Sequence, residues 1–102
     1  MRVAKVFVDR DFAATLVEHS RQDYELIYEP GYSGPSISLT LPRSKSTFKF
    51  DHFPTFFEGL LPEGVQLAAL LRQKKIDERD YFSQLVAVGE DLVGNVTVKA
   101  KT

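Results

Sequence analysis

The side chains best suited to catalysis in this sequence are its two histidines, His19 and His52. His52 follows Asp51, and serines are frequent, so a Ser–His–Asp group for nucleophilic catalysis can be imagined. However, the sequence contains neither a G-x-S-x-G nucleophile elbow nor an H-E-x-x-H metal motif. We therefore predict that both histidines are polar surface or turn residues without a catalytic role.

Four carboxylates, those of Glu58, Glu63, Glu90 and Asp91, are candidates for acid–base catalysis or for a hard metal site. The local pattern gives them structural positions instead. It places Glu63 in the first turn of a helix, and Glu90 and Asp91 in the loop after a helix. The absence of cysteine also excludes a thiolate zinc site and a cysteine nucleophile. We expect no catalytic residues, no metal and no cofactor.

Neither the glycines nor the basic residues indicate a phosphate or nucleic-acid site. The glycine-containing segments 31–34 and 89–94 match neither the P-loop nor the dinucleotide fingerprint. Thirteen basic residues against fourteen acidic ones give a net charge of −1, which creates no field to attract nucleic acid. The basic cluster within residues 43–49 is best explained as a solvated loop. We predict no direct contact with nucleic acid by the chain alone, and no small-molecule substrate.

The chain length and composition favour one small folded domain spanning residues 1–102. The chain has 102 residues, of which 43% are apolar, including eight Phe and four Tyr to fill a core. No apolar run approaches the roughly 20 residues that a membrane span needs, and the first residues do not resemble a signal peptide. We expect a cytoplasmic protein that does not contact membranes.

The first half of the sequence predicts strands, because its apolar residues are rich in β-branched types and alternate with polar residues. A tight turn is expected at residues 9–11. A short last strand is expected after the helices, returning to the first sheet. The predicted strands span residues 3–8, 12–18, 24–28, 37–41 and 94–99, with a brief addition at residues 48–50.

The apolar spacing changes to a helical period after residue 53. Pro54 begins a short helix that ends at Gly59 or Pro62. A second, amphipathic helix begins at Pro62, and a third has Asp77 as its N-cap and Gly89 as its C′ residue. The expected fold is therefore α+β: a small antiparallel meander of about five strands packed with two to three short helices.

Residues 53–65 combine three Phe, two Leu, two Pro and two Gly, which is unusual for a core helix. Glycine at 59 and 64 and proline at 54 and 62 shape the backbone rather than fill a core. One interpretation is a bent, partly apolar binding surface. The other is a sharp turn between two core helices. We call residues 56–66 the bent segment.

The bent segment also carries a resemblance to a known family. Residues 56–64, FFEGLLPEG, are similar to the signature of the N-terminal subdomain of HipA-type bacterial serine/threonine kinases. Residues 24–28 resemble that family's aromatic strand, and residues 37–42 its SLSLP strand. Residues 89–95 resemble the closing GxDxxGA element, with Asn95 in place of the usual alanine.

In HipA kinases the ATP-binding and catalytic residues follow this subdomain, so the resemblance implies a non-enzymatic chain. A free-standing version of the subdomain, HipS, belongs to HipB–HipS–HipT toxin–antitoxin systems, in which it neutralises the shortened kinase HipT. The resemblance therefore implies an antitoxin that binds a HipT-type serine/threonine kinase toxin, in one complex with a HipB-type helix-turn-helix protein. The alternatives are an N-terminal fragment of a HipA-type kinase without independent activity, and a small enzyme.

If the chain is such a binding module, the bent segment is the candidate docking element. We expect Phe57 and Leu60 to point into the core, and Glu63, Val65 and Gln66 to be more exposed. The predicted partner-binding residues are Phe56, Glu58, Leu61, Pro62, Glu63, Gly64, Val65 and Gln66.

Overall fold

Five antiparallel strands form one sheet in the computed structural model, which describes residues 1–92 and 94–101. The strands are β1 (Arg2–Val8), β2 (Asp11–Ser20), β3 (Asp23–Tyr28), β4 (Thr47–Phe50) and β5 (Val96–Ala100). Their order across the sheet is β4-β3-β2-β1-β5. The predicted antiparallel meander is confirmed, and the last strand lies beside the first, as expected.

Three helices complete the α+β fold: α1 (Thr55–Glu58), α2 (Gly64–Lys74) and α3 (Tyr81–Val88). Side chains alternate along β1, so that Ala4, Val6 and Val8 are buried on one face of the sheet. Helices α1 and α3 contribute Phe57 and Leu85, both fully buried, to the same apolar core. The predicted class, an antiparallel sheet packed with two to three short helices, is therefore confirmed.

The turn between β1 and β2 uses two residues with positive φ, Asp9 at 49° and Arg10 at 73°. Two consecutive left-handed residues match the twist of a two-residue hairpin, and they join the facing residues Val8 and Asp11. The polar turn predicted at residues 9–11 is thus present. The second strand begins at Asp11, one residue earlier than expected.

The strand predicted at residues 37–41 is wrong. Only an isolated bridge joins Ser38 to Leu41, and Leu39 is 100% exposed. The Ser38 hydroxyl accepts a hydrogen bond from the backbone N–H of Thr40, so a local turn replaces the ladder that a strand would need. The Tyr28 hydroxyl holds this segment, because it donates to the Leu41 carbonyl and accepts from the Ile37 N–H. The fourth strand is β4 instead.

Helix α2 has the amphipathic sequence that was expected, yet none of its residues is buried. Its leucines at 67, 70 and 71 are half-buried, whereas Val65 is 87% exposed. The helix ends at Lys75, which has a left-handed φ of 55°, and two basic residues occupy its last turn, as the helix dipole favours. Helix α2 therefore lies on the outside of the domain.

Two predicted cap positions of α3 are wrong. The N-cap is Asp80 rather than Asp77, because the Asp80 carboxylate accepts the Ser83 N–H at 3.1 Å. Gly89 has a right-handed φ of −58°, so it is not a left-handed C′ residue. Glycine is required there by a close approach: an added Cβ would lie 1.9 Å from the Val98 carbonyl oxygen. Val93, in the predicted closing element at 89–95, lies outside the described residues, as does Thr102.

Candidate functional site

The bent segment begins with the single helical turn α1, which Pro54 starts. The Pro54 carbonyl accepts the backbone N–H groups of Phe57 and Glu58, both at 3.0 Å. Pro54 has no N–H of its own to leave unpaired at this helix start. The Phe57 ring is fully buried and meets the Phe56 ring edge-to-face at 5.1 Å. Phe57 therefore anchors the segment in the core, as predicted.

The chain then turns sharply before α2. The backbone N–H of Leu60 donates to the Phe57 carbonyl, and that of Leu61 to the Glu58 carbonyl, both at 3.1 Å. Both leucines are half-buried and pack against the core, which confirms the inward position predicted for Leu60. Gly64 has a φ of 58°, and a Cβ added there would meet no atom within 4 Å, so the backbone angle, not space, requires glycine.

Beyond this turn the segment presents an exposed tip to solvent. Glu63, Gly64, Val65 and Gln66 are all exposed, and Val65 has 87% of its surface accessible. Glu58 is exposed as well, so the tip combines one apolar side chain with two carboxylates. Hydrogen bonds and buried Phe57 hold the turn that precedes the tip, and Val65 is displayed beyond it in the first turn of α2.

The predicted partner-binding residues fall into two groups. Glu58, Glu63, Gly64, Val65 and Gln66 are exposed. Phe56, Leu61 and Pro62 are half-buried, so part of each side chain supports the fold and only the remainder is accessible. The predicted partner-binding residues all lie in the bent segment, and they include both exposed and half-buried side chains.

A cleft of about 410 Å³ lies on the Phe56 side of the bent segment. Leu41 and Phe50 supply apolar wall, and His52 lies at the same cleft. Clefts of this size accept one or two apolar side chains of a partner. The cleft at Phe56 and the exposed tip at Val65 are therefore two candidate contact regions of the bent segment.

A partly buried polar network ties the start of the sheet to α3, and sequence reasoning missed it. Arg2 donates from Nε to Glu18 Oε1 at 2.6 Å, from Nη2 to Asp80 Oδ1 at 2.8 Å, and from Nη1 to Ser83 Oγ at 2.7 Å. Tyr24 donates its hydroxyl to Glu18 Oε2 at 2.9 Å. The only local signal was the Asp80-x-x-Ser83 spacing, which is typical of an N-cap.

The network shifts the acidities of its members. Burial raises the pKa of Asp80, but hydrogen bonds from Arg2 and Ser83 outweigh it and lower the pKa to about 2. Burial, and then the hydrogen bond to Glu18, raises the pKa of Tyr24. Hydrogen bonds to Glu18 and Asp80 raise the pKa of Arg2, so the guanidinium stays charged. The charged and polar groups of the network bind one another, so the network stabilises the fold.

The histidines lie at the surface beside carboxylates. His19 Nε2 is 3.0 Å from Glu25 Oε1, and His52 Nδ1 is 2.7 Å from Asp51 Oδ1. The His52 hydrogen bond lowers the pKa of Asp51. Within residues 1–92 and 94–101, no group of three or more His, Asp or Glu side chains is placed to hold a metal ion. No helix in that same part of the chain is long and apolar enough to cross a membrane.

Comparison with known proteins places this geometry in a family. The family model described as HipA N-terminal domain matches residues 4–99. An uncharacterised protein of Haemophilus influenzae is 33% identical over 99 residues, which cover 97% of this chain and 92% of that protein. A solved structure of the "N-terminal domain of HipA toxin" superposes with a TM-score of 0.78 at 30% identity, covering 100% of this chain and 94% of that one. The chain belongs to the HipA N-terminal domain family.

Proposed function

We propose that this chain is an antitoxin of the HipS type, which binds and neutralises a HipT-type serine/threonine kinase toxin through its bent segment. The observation that carries the proposal is the exposure of Val65, at 87%, in the first turn of α2. An apolar side chain exposed to this extent adds little to the stability of the isolated domain. It gains free energy only when a partner covers it.

The size of that gain is sufficient for a small interface. Burying a side chain such as Val or Leu contributes about 1.5–3 kcal/mol, and a few such residues dominate most interfaces. Val65 supplies one of them, and the cleft beside Phe56 accepts apolar groups from the partner. The carboxylates of Glu58 and Glu63 flank the tip, so the matching surface of the kinase is expected to be basic.

In this proposal the chain neutralises the kinase toxin by binding to it and catalyses no reaction itself. Residues 4–99 match the HipA N-terminal domain, and the proposed action of this domain is binding rather than catalysis. The Haemophilus influenzae relative supports a free-standing module, because 92% of that protein is covered by this domain. In the proposed complex a HipB-type helix-turn-helix protein supplies the contacts to DNA, because the near-neutral net charge of −1 gives this chain little attraction for phosphate.

A second candidate function is that of an N-terminal subdomain within a HipA-type kinase. The likeness to the solved N-terminal domain of HipA toxin favours it. In that case the bent segment would contact a kinase domain of the same polypeptide, and the chain alone would have no activity. The genes beside its own distinguish the two: a short kinase gene and a helix-turn-helix gene support the antitoxin.

Co-expression with that neighbouring kinase tests the proposed function. We expect the chain to rescue growth of cells that express the kinase, and to co-purify with it in a stable complex. Rescue without complex formation would contradict the proposed mechanism. Failure of both rescue and binding, with a folded chain, would contradict the antitoxin function itself.

A further inference from the structure

A second surface lies at the opposite end of α2 from the bent segment. It is a groove of about 730 Å³ where the start of β1, the end of α2, one face of α3 and the end of β5 meet. The bent segment includes the first residues of α2, which begins at Gly64, and Lys74 at the groove is the last residue of that helix. Since a helix rises about 1.5 Å per residue, the two surfaces are separated by about 15 Å along the helix.

The floor of this groove is apolar. Phe82 lies beneath it, 4% exposed, and half-buried side chains from β1, from α3 and from the loop after α2 surround it. These side chains are Val3, Ile76 and Val86. Ala100 and Ala87 leave space at its edges, because their short side chains cannot fill the gap between β5 and α3. The groove can therefore take one or two apolar side chains from another molecule.

The rim of the groove is positively charged. Lys74 and Lys101 line it, both exposed, and neither makes an ion pair within residues 1–92 and 94–101. Arg2 also lines it, but Glu18 and Asp80 already neutralise that guanidinium. Over the described part of the chain, no carboxylate belongs to the lining. The two lysines are thus cations available to a ligand that brings its own negative charge.

The apolar floor and the basic rim together indicate the chemistry of the molecule that would bind in the groove. We propose that the groove docks an apolar, acidic segment of a second protein, with its apolar side chains over Phe82 and its carboxylates at Lys74 and Lys101. The charge of the groove is opposite to that of the tip, where Glu58 and Glu63 are exposed. The two surfaces therefore select partners of different chemistry, and the domain can hold both at once. This proposal does not depend on the identity of the partner at the bent segment.

A set of three labelled peptides tests the proposal against the full chain. The probe is acetyl-Asp-Leu-Phe-Asp-Leu-Leu-Glu-amide; one control replaces its acids with Lys, and the other replaces its Leu and Phe with Ser. By fluorescence anisotropy at low salt, we expect the probe to bind with a dissociation constant below about 200 µM. Both controls should bind at least tenfold more weakly. Failure of the probe to bind, or equal binding by either control, would overturn the proposal.

Charge-reversal variants test whether the probe peptide binds in this groove. The double variant Lys74→Glu/Lys101→Glu should weaken the probe at least tenfold, while Lys45→Glu, an exposed lysine in the loop before β4, should leave it unchanged. All three positions are exposed, so the melting temperature is expected to stay within a few degrees. In an NMR titration, amide shifts should concentrate at Ile76, Val86 and Ala100. Shifts centred on residues 56–66, or an unchanged affinity of the double variant, would contradict the proposed site.

Discussion

Arg2 and Asp80 are joined by two hydrogen bonds, from Nη2 to Oδ1 at 2.8 Å and from Nη1 to Oδ2 at 3.3 Å. The two residues are 78 positions apart, at the start of β1 and at the N-cap of α3. Arg2 also donates to Glu18, which is 7% exposed, so one guanidinium forms ion pairs with two carboxylates. This contact fixes α3 on the sheet at one edge of the groove.

Removal of the guanidinium should destabilise the domain. Arg2→Ala leaves the buried Glu18 carboxylate without its cation, and such losses cost about 2 kcal/mol for partly exposed pairs. We expect a lower midpoint of urea unfolding for Arg2→Ala. Arg21→Ala, at an exposed arginine, is the matched control and should change stability by less than about 0.5 kcal/mol. Equal effects of the two variants would show that the network does not stabilise the fold.

The same network predicts how stability depends on pH. The folded-state pKa of Asp80 is about 2, below the ordinary value of 3.8, so the unfolded chain takes up the proton first. The contribution of Asp80 is therefore complete above pH 4 and is lost as the pH falls towards 2. Between those values wild type should lose about 2 kcal/mol more than Asp80→Asn. Parallel pH profiles of the two proteins in urea unfolding would contradict this role for Asp80.

Two glycines should respond oppositely to alanine. At Gly89 an added Cβ would lie 1.9 Å from the Val98 carbonyl oxygen, so Gly89→Ala must displace β5 or α3. We expect a loss of at least about 2 kcal/mol. At Gly59, with a φ of −65°, the nearest atom would be 3.5 Å away, and Gly59→Ala should stabilise by about 0.5 kcal/mol. Thermal melts measure both, and a stable Gly89→Ala would contradict the close approach.

The isolated chain should bind neither ATP nor DNA. Residues 4–99 form the HipA N-terminal domain, and we expect this domain to show no ATPase activity and no saturable binding of Mg-ATP by calorimetry. The net charge of −1 predicts no specific gel shift with promoter DNA at about 150 mM salt. Micromolar ATP binding would support an enzymatic function instead. A specific gel shift of promoter DNA by the chain alone would contradict the proposal that a HipB-type partner makes the DNA contacts.

The first three strands were predictable from sequence because their apolar residues alternate and their turns are short and polar. Alternation misled at residues 37–41, where Ile37 and Leu41 are buried but Leu39 is fully exposed. The Ser38 hydroxyl there satisfies a backbone N–H locally, and sequence spacing does not reveal which partner a backbone group takes. The fourth strand, β4, is only four residues long and was expected as no more than a brief addition.

The candidate surfaces were predictable to different degrees. The bent segment was recognisable from its Gly and Pro residues, and the inward and outward positions of Phe57 and Val65 followed from its pattern. The exposure of α2 was not predictable. An apolar stripe on a helix does not indicate whether the same domain or a partner covers that stripe. The groove and the Arg2 network join residues from both ends of the chain, so only the folded structure brings them together.

The most direct test of the central claim compares two apolar-to-acid variants in binding to the proposed partner, a HipT-type kinase. Val65→Asp alters the exposed tip of the bent segment, and Leu39→Asp alters a fully exposed apolar residue outside that segment. We predict at least tenfold weaker binding and loss of growth rescue for Val65→Asp alone, with both melting temperatures within a few degrees of wild type. Wild-type affinity and full rescue by Val65→Asp would contradict the proposed docking role of the bent segment.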